Sequence, residues 1–146
     1  MIVLVLNVGL KNARCIAFSG KGKVLFEAKK PVRTYINSDF IEQDPNEWLR
    51  LSWEVIREVV SLLGAQSEQI QYLTVTTSAS CLVAADENYK PLINSMLVSD
   101  TRSTKESKEL ECLIEFQALE SMYAKSSPDL MIPKILWLQK NQPKVF

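Results

Sequence analysis

Apolar and polar positions alternate in short runs at the start of the chain. Apolar runs over residues 3–8 and 14–18 predict two buried strands joined by a turn at residues 9–12. A second tight turn at residues 19–22 carries two glycines, which are free to adopt positive φ, and residues 23–28 read as a third strand. The chain is therefore predicted to open with an antiparallel meander of three strands.

The spacing of apolar residues then changes to that of a helix. Residues 31–39 are predicted to form a connecting loop, and Asp44 and Pro45 supply an N-cap and a first helical residue. Apolar side chains recur every three or four positions as far as Gly64, which predicts an amphipathic helix. Residues 69–77 are predicted to form a fourth strand, buried and parallel to the first.

The second half of the chain predicts a hairpin followed by helices. Residues 82–85 and 92–98 flank a turn at residues 86–89, and the chain is mostly helical from residue 101, with a break at residues 126–128. A last helix at residues 133–140 ends before Pro143. A meander, a helix and a strand beside the first strand are the opening of a ribonuclease-H-like or actin-like ATPase domain. This α/β fold has a mixed sheet flanked by helices.

Composition narrows the classes of function. A chain of 146 residues is long enough for one domain, here residues 1–146, and its formal net charge of zero does not indicate a nucleic-acid or membrane partner. Three widely spaced cysteines without a paired motif favour a reducing, cytoplasmic setting. The chain has no histidine, which excludes Ser-His-Asp and Cys-His sites. Any chemistry must therefore depend on carboxylates, Lys and Arg, or a bound metal.

Five stretches occur in an order that resembles one enzyme family. They are Asn7-x-Gly9 followed by Arg14, IEQDPNEW at residues 41–48, residues 82–86 with 90–92, SDTRS at residues 99–103, and KILWLQKNQP at residues 134–143. Together they resemble the N-terminal domain of the FGGY carbohydrate kinases, the relatives of glycerol kinase, xylulokinase and gluconokinase. The second and fifth stretches are the most specific, and the resemblance covers nearly the whole chain.

The resemblance implies a two-domain kinase of the actin-like ATPase type. Such an enzyme transfers the γ-phosphoryl group of ATP, with Mg²⁺, to a hydroxyl of a sugar or polyol bound between its domains. The family's catalytic aspartate and adenine-binding domain would lie beyond residue 146, so the chain is expected to be incomplete, to contain no catalytic residue and to be inactive alone. A sugar or polyol and ATP are the implied partners, and the resemblance is compatible with a homo-oligomer.

The resemblance assigns phosphate contacts to the first hairpin. Its candidate residues are Asn7, Gly9, Leu10, Lys11, Asn12 and Arg14. Relatives carry an acid that helps hold Mg²⁺ at the position of Asn7, which makes Asn7 the candidate metal ligand, although Mg²⁺ prefers carboxylates. Lys11 could replace part of the lost charge neutralisation. The alternative is that these residues form only a turn and that Lys11 is solvated.

The resemblance also assigns substrate contacts to Ser78, Ser80, Asp100 and Arg102. Val98 stands where the family has a tryptophan that stacks on the sugar, so that platform is missing. The serines have the alternative role of small residues that pack at a strand end. An Asp and an Arg two positions apart can instead form a local ion pair without any ligand.

Three hypotheses of function follow. The first is a sugar or polyol kinase, represented by its N-terminal domain. The second is a degenerate relative that binds sugar, nucleotide or a partner protein without catalysis, which the altered positions 7, 10, 11 and 98 together favour. The third, an unrelated actin-like interaction domain, explains the fold but not the order of the five stretches.

Overall fold

The computed structural model describes residues 1–113 and 125–146. Two compact units are present, and each is described by itself. Unit 1 comprises Met1–Arg33 and Asn46–Ser78, and unit 2 comprises Thr34–Pro45 and Ala79–Phe146. The interpretation of residues 1–146 as one domain stays a prediction.

The described residues form seven strands, three α-helices and one 3₁₀ helix. In chain order they are β1 (Ile2–Val8), β2 (Asn12–Ser19), β3 (Val24–Pro31), β4 (Tyr35–Asn37), β5 (Phe40–Gln43), α1 (Pro45–Leu63), a 3₁₀ helix (Gly64–Gln69), β6 (Ile70–Thr77), β7 (Ser95–Met96), α2 (Thr104–Glu111) and α3 (Met131–Asn141).

Unit 1 contains a mixed sheet with the strand order β3-β2-β1-β6. The pairs β1–β2 and β2–β3 are antiparallel, and β1–β6 is parallel, which confirms the predicted meander and the strand beside it. Side chains alternate along each strand, so that Ile2, Leu4 and Leu6 of β1 lie on the buried face. This face and the apolar side of α1 form the core of the unit.

The helix α1 follows the prediction closely. Its buried side chains, including Leu51, Val55 and Val59, are spaced by three or four positions, and it ends before Gly64, whose φ is +54°. Its charged side faces β3, because Nζ of Lys30 lies 3.5 Å from a carboxylate oxygen of Glu54. The predicted helix is therefore confirmed at both ends.

The burial predicted for β6 is wrong. Its register beside β1 is parallel as predicted, but residues 71–77 are all exposed. The physical reason is its place in the sheet: β6 is an edge strand with β1 as its neighbour, and α1 covers the buried face of the other strands. An apolar run predicts a strand but not whether other elements cover it.

Unit 2 contains a small antiparallel sheet with the strand order β4-β5-β7. The prediction of a loop over residues 31–39 is wrong in part, since β4 lies within it, and β5 was not predicted. These strands are short, and β5 is fixed by pairing Glu42 with Met96, which is distant in sequence. The predicted hairpin is present as backbone pairing, with mutual hydrogen bonds between Leu82 and Met96 and a bond from the N–H of Leu92 to the carbonyl of Ala84.

The two helices of unit 2 bury polar as well as apolar groups. Glu106 and Ser107 of α2 are buried, and the hydroxyl of Ser107 lies 2.9 Å from that of Ser126. The last helix, α3, confirms the predicted segment with slightly wider bounds. The helical prediction for residues 114–124 lies outside the described residues. Among the described helices, none combines the length and apolar character needed to cross a bilayer.

Candidate functional site

The turn between β1 and β2 carries the first group of predicted site residues. Gly9 donates its N–H to the carbonyl of Asn12 at 3.0 Å, which closes the turn. A Cβ on residue 9 would lie 3.1 Å from Oδ1 of Asn7, so crowding by that side chain favours glycine here. Lys11 is exposed, and Leu10 is half-buried. The structure therefore brings the predicted turn residues together at one end of the sheet of unit 1.

Arg14 is already engaged by a partner within unit 1. Its Nη2 lies 2.7 Å from Oε2 of Glu27 on the neighbouring strand β3. This hydrogen bond raises the pKa of Arg14 and lowers that of Glu27. A phosphate would have to compete with Glu27 for the guanidinium, so Lys11 is the more available cation of the hairpin.

Asn7 does not by itself provide a magnesium site. Its neighbours across the sheet are Arg14 on β2 and Thr76 on β6, neither of which adds a carboxylate. Over residues 1–113 and 125–146, no group of three or more His, Cys, Asp or Glu side chains could hold a metal ion. Mg²⁺ prefers carboxylate and water oxygens to a single neutral amide. The donors present do not fit Mg²⁺, and no chemical step is assigned to a metal held by this chain.

The two predicted serines lie on either side of the boundary between the units. Ser78 follows β6 in unit 1, whereas Ser80 belongs to unit 2. Ser80 has a φ of +59°, a left-handed conformation that costs energy for a residue other than glycine. Its carbonyl accepts a hydrogen bond from Nζ of Lys134 at 2.9 Å. Ser80 is thus held in a strained conformation by a buried lysine.

Asp100 and Arg102 form a buried ion pair. Asp100 is fully buried, and its Oδ2 lies 2.6 Å from Nη2 of Arg102 and 2.8 Å from the main-chain nitrogen of Ile41. Arg102 also lies 2.6 Å from Oε1 of Glu42. Burial opposes the charge of Arg102, but the hydrogen bonds to Asp100 and Glu42 raise its pKa. The alternative of a local ion pair is therefore present, and the assignment of both residues to substrate stays a prediction.

Two aromatic rings enclose the guanidinium of Arg102. Its Cζ lies 3.9 Å from the centre of the Phe40 ring and 5.0 Å from that of Trp137. The two rings meet edge to face, with centres 5.8 Å apart and an angle of 87° between their planes. These cation–π contacts hold the side chain of Arg102 where only 4% of it is exposed.

Lys134 is fully buried at the start of α3. Its Nζ donates to the carbonyls of Ser80 at 2.9 Å, Leu97 at 2.7 Å and Asp129 at 3.1 Å. An ammonium group has three N–H donors, so these bonds use all of them. Desolvation by burial lowers the pKa of Lys134. The lysine links three segments of unit 2.

Three contacts around the predicted site residues were not predicted from the sequence. Glu42 and Phe40 contact the guanidinium of Arg102, and Lys134 binds the carbonyl of Ser80. The signal was present, since Glu42 lies in the IEQDP stretch and Lys134 begins the KILW stretch. Both stretches were interpreted as markers of the fold alone. In the structure, the IEQDP, SDTRS and KILW stretches meet in unit 2 through Glu42, Arg102 and Trp137.

Comparisons with known proteins agree with this arrangement. The family model described as the FGGY family of carbohydrate kinases, N-terminal domain, matches residues 2–146. A xylulose kinase of Staphylococcus epidermidis is 25% identical over 146 residues, which are 99% of this chain and 29% of that protein. A glycerol kinase of Natranaerobius thermophilus is 27% identical over 147 residues, which cover 95% of this chain and 28% of that protein.

Solved structures show the same fold. A xylulose kinase from Rhodospirillum rubrum superposes with a TM-score of 0.92 at 22% identity, over 100% of this chain and 30% of that chain. A Plasmodium falciparum glycerol kinase with ADP gives a TM-score of 0.83 at 14% identity, over 99% of this chain and 29% of that chain. The predicted actin-like α/β fold is confirmed. The chain spans 28–29% of the length of the two curated relatives named above.

Proposed function

Because the chain belongs to the FGGY family of carbohydrate kinases, we propose that it forms the N-terminal domain of an ATP-dependent sugar or polyol kinase. The observation that carries the proposal is the convergence of three family-like stretches on Arg102, where Glu42, Asp100 and Trp137 surround it. Residues of all three stretches thus contribute to one cluster around Arg102. The γ-phosphoryl group of ATP would pass to a hydroxyl of the substrate, and a cytoplasmic location fits such a reaction.

Phosphoryl transfer depends mainly on positioning and charge neutralisation, so the proposed work of this domain is binding. The first hairpin would meet the phosphates through the N–H groups of its turn and the ammonium of Lys11. Ser78 and Ser80 would offer hydroxyls to the substrate, and neither hydroxyl has a hydrogen bond to another residue in the part of the chain that the structure describes. Asp100 would act through Arg102, since its oxygens are occupied by protein groups.

ATP consumption tests the proposal. The test uses the longest polypeptide that the gene encodes around this segment, with D-xylulose, glycerol, gluconate and ribitol as acceptors. We expect release of ADP that depends on one of the acceptors, and the 146-residue chain alone provides the inactive control. If none of the acceptors raises the rate of ADP release above the rate without an acceptor, the proposal is contradicted.

A degenerate relative that binds without catalysis is the second candidate. Two observations favour it. The neutral side chain of Asn7 is a poor ligand for Mg²⁺. The ion pair between Arg14 and Glu27 lowers the affinity of the hairpin for phosphate, because phosphate must compete with Glu27.

Replacing Asn7 by Asp distinguishes a weakened kinase from a hairpin that no longer binds phosphate. In the longer polypeptide, Asn7→Asp should raise the Mg²⁺-dependent rate about tenfold or more, because a carboxylate is a better Mg²⁺ ligand than an amide. Asn88→Asp, at an exposed position of the turn at residues 86–89, is the matched control and should leave the rate unchanged. An unchanged rate and unchanged Mg²⁺ affinity in Asn7→Asp would favour the degenerate relative.

A further inference from the structure

Three of the four residues assigned to substrate lie in two segments of unit 2 that are separate in sequence. Ser80 lies in the first segment, and Asp100 and Arg102 lie in the second. The two segments run side by side, because the main chains of Leu82 and Met96 exchange hydrogen bonds of 2.9 and 3.0 Å. A substrate that contacts both segments requires each of them to be held in a fixed position.

Lys134 connects these two segments from the interior of unit 2. Its side chain is fully buried, and its Nζ donates to the carbonyl of Ser80 at 2.9 Å and to that of Leu97 at 2.7 Å. The carbonyl of Leu97 also accepts the main-chain N–H of Asp100 at 3.0 Å. One ammonium group is therefore bonded to Ser80 in the first segment and to the turn that leads to Asp100 in the second.

The backbone of Ser80 depends on this support. Its φ is +59°, which lies in the left-handed region that a serine adopts at a cost in energy. Among the described residues, the other hydrogen bond of residues 79–81 joins Sγ of Cys81 to the carbonyl of Ala79 at 3.8 Å, and a thiol is a weak donor. The bond from Lys134 is thus the stronger of the two restraints on the main chain at Ser80.

A lysine suits this position because its three N–H donors diverge from a single nitrogen atom. The third donor binds the carbonyl of Asp129 at 3.1 Å, so no donor is left for a ligand. We infer that Lys134 is a positioning residue of the substrate site: it fixes the main chain at Ser80 and before Asp100 without contacting the substrate itself. The inference rests on the proposed function, since that function assigns Ser80, Asp100 and Arg102 to the substrate.

The first test measures the backbone of Ser80 in the 146-residue chain and does not depend on phosphoryl transfer. In a proton NMR spectrum, the cross-peak between the amide proton and Hα of one residue is strong where φ is positive, because the two protons are then close together. Lys134→Met should weaken this cross-peak for Ser80 and preserve it for Tyr89, whose φ is +61° in a separate turn of unit 2. Lys144→Met, at an exposed position after α3, is the control and should preserve both cross-peaks.

The second test measures the kinetics of the longer polypeptide with the acceptor that raises its release of ADP. Lys134→Met should raise KM for that acceptor about fivefold, the effect expected from one lost hydrogen bond. It should leave KM for ATP unchanged, since the residues predicted to contact phosphate lie in unit 1.

Two further variants separate positioning from stability. Val59→Ala removes two buried methyl groups from the core of unit 1, so it lowers the Tm without changing any contact of Lys134, and it should not change KM for the acceptor. Lys134→Gln keeps two N–H donors on a shorter side chain and should raise KM for the acceptor by a smaller factor than Lys134→Met. Where Lys134→Met does not fold, Lys134→Gln takes its place in both tests.

An unchanged cross-peak of Ser80 in Lys134→Met would overturn the inference. An equal rise of KM for the acceptor in Val59→Ala, at the same loss of Tm, would also overturn it, because lost stability would then explain the effect. Equal rises of KM for acceptor and ATP would do the same. If no acceptor raises ADP release by the unchanged polypeptide, the proposed function fails, and the cross-peak of Ser80 alone decides whether Lys134 fixes this part of the main chain.

Discussion

At the scale of single residues, Lys134 holds together segments of unit 2 that are far apart in sequence. Its three donors bind the carbonyls of Ser80, Leu97 and Asp129 at distances of 3.1 Å or less. Since Ser80 has a positive φ, its strained backbone depends on such support. Lys134 therefore stabilises the backbone at Ser80, which is one of the residues predicted to contact the substrate.

Replacing Lys134 by Met should destabilise the chain by about 2–4 kcal/mol, because three buried carbonyls lose their donors. Urea unfolding followed by tryptophan fluorescence measures the change. Lys144→Met is the matched control, since Lys144 is exposed just after the same helix, and it should cost much less. Equal losses in the two variants would show that the carbonyl contacts do not stabilise the fold.

Lys11 is the residue of the first hairpin that most directly tests phosphate binding. Arg14 is paired with Glu27, and Asn7 is neutral, so the exposed ammonium of Lys11 is the available charge. In the longer polypeptide, Lys11→Met should weaken ATP binding about tenfold, the value expected for one charge-assisted contact.

The control for Lys11→Met is Lys21→Met, which changes an exposed lysine in the turn between β2 and β3. Its ATP affinity, measured by calorimetry, should equal that of the unchanged protein. If both variants bind ATP with unchanged affinity, the first hairpin is only a turn.

At the scale of elements, the two edges of the sheet of unit 1 differ in chemistry. The outer strand β3 carries Glu27, Lys29, Lys30 and Pro31, which hinder pairing with another chain. The opposite edge strand, β6, has the sequence IQYLTVTT and carries no charge and no proline. An uncharged and exposed edge strand of this kind is prone to pair with other molecules.

Replacing Val75 by Lys should therefore reduce self-association of the 146-residue chain. Val75 is 56% exposed, so the substitution places a charge on the open edge at little cost in stability. Val24→Lys is the matched control, because Val24 is 50% exposed on the other edge strand, β3, and should change association little. Sedimentation velocity measures both variants, and equal effects would argue against pairing through β6.

At the scale of the whole molecule, three surface ion pairs contribute to the response of the fold to acid. The formal net charge is zero at pH 7. Within residues 1–113 and 125–146, the carboxylates with a lowered pKa are Glu27, Glu54 and Glu109. In each case the main cause is a hydrogen bond to a basic side chain, from Arg14, Arg50 and Lys140 respectively. A lowered pKa in the folded state stabilises the fold at pH values above the ordinary pKa.

The stability supplied by Glu27 should accordingly be present above its ordinary pKa of 4.5 and disappear as the pH falls through the lower folded value. Glu27→Gln should lower the Tm at pH 7 and have a progressively smaller effect as the pH falls below 4.5, because protonation removes the charge on which the ion pair with Arg14 depends. Glu87→Gln is the control, since Glu87 forms no ion pair within residues 1–113 and 125–146. A difference in Tm that stays constant with pH would contradict this account.

The sequence predicted the local structure of unit 1 well because its signals are local. The run of apolar residues in β1 and the helix start at Asp44 and Pro45 depend on neighbours within a few positions. It also predicted the turn residues Gly9 and Asn12. The assignments of those residues to phosphate remain predictions, since the turn geometry exists with or without a ligand.

By itself the sequence determined the meander, the amphipathic helix α1, the parallel strand β6 and membership of a kinase family. Only the tertiary structure decided that Arg14 is paired with Glu27, that Lys134 is buried under three carbonyls, and that β6 is exposed. The physical reason is the distance along the chain between the residues that interact. Strand and helix periodicity is set by adjacent residues, whereas ion pairs, burial and pockets join residues such as Glu42 and Arg102 that the chain separates by 60 positions.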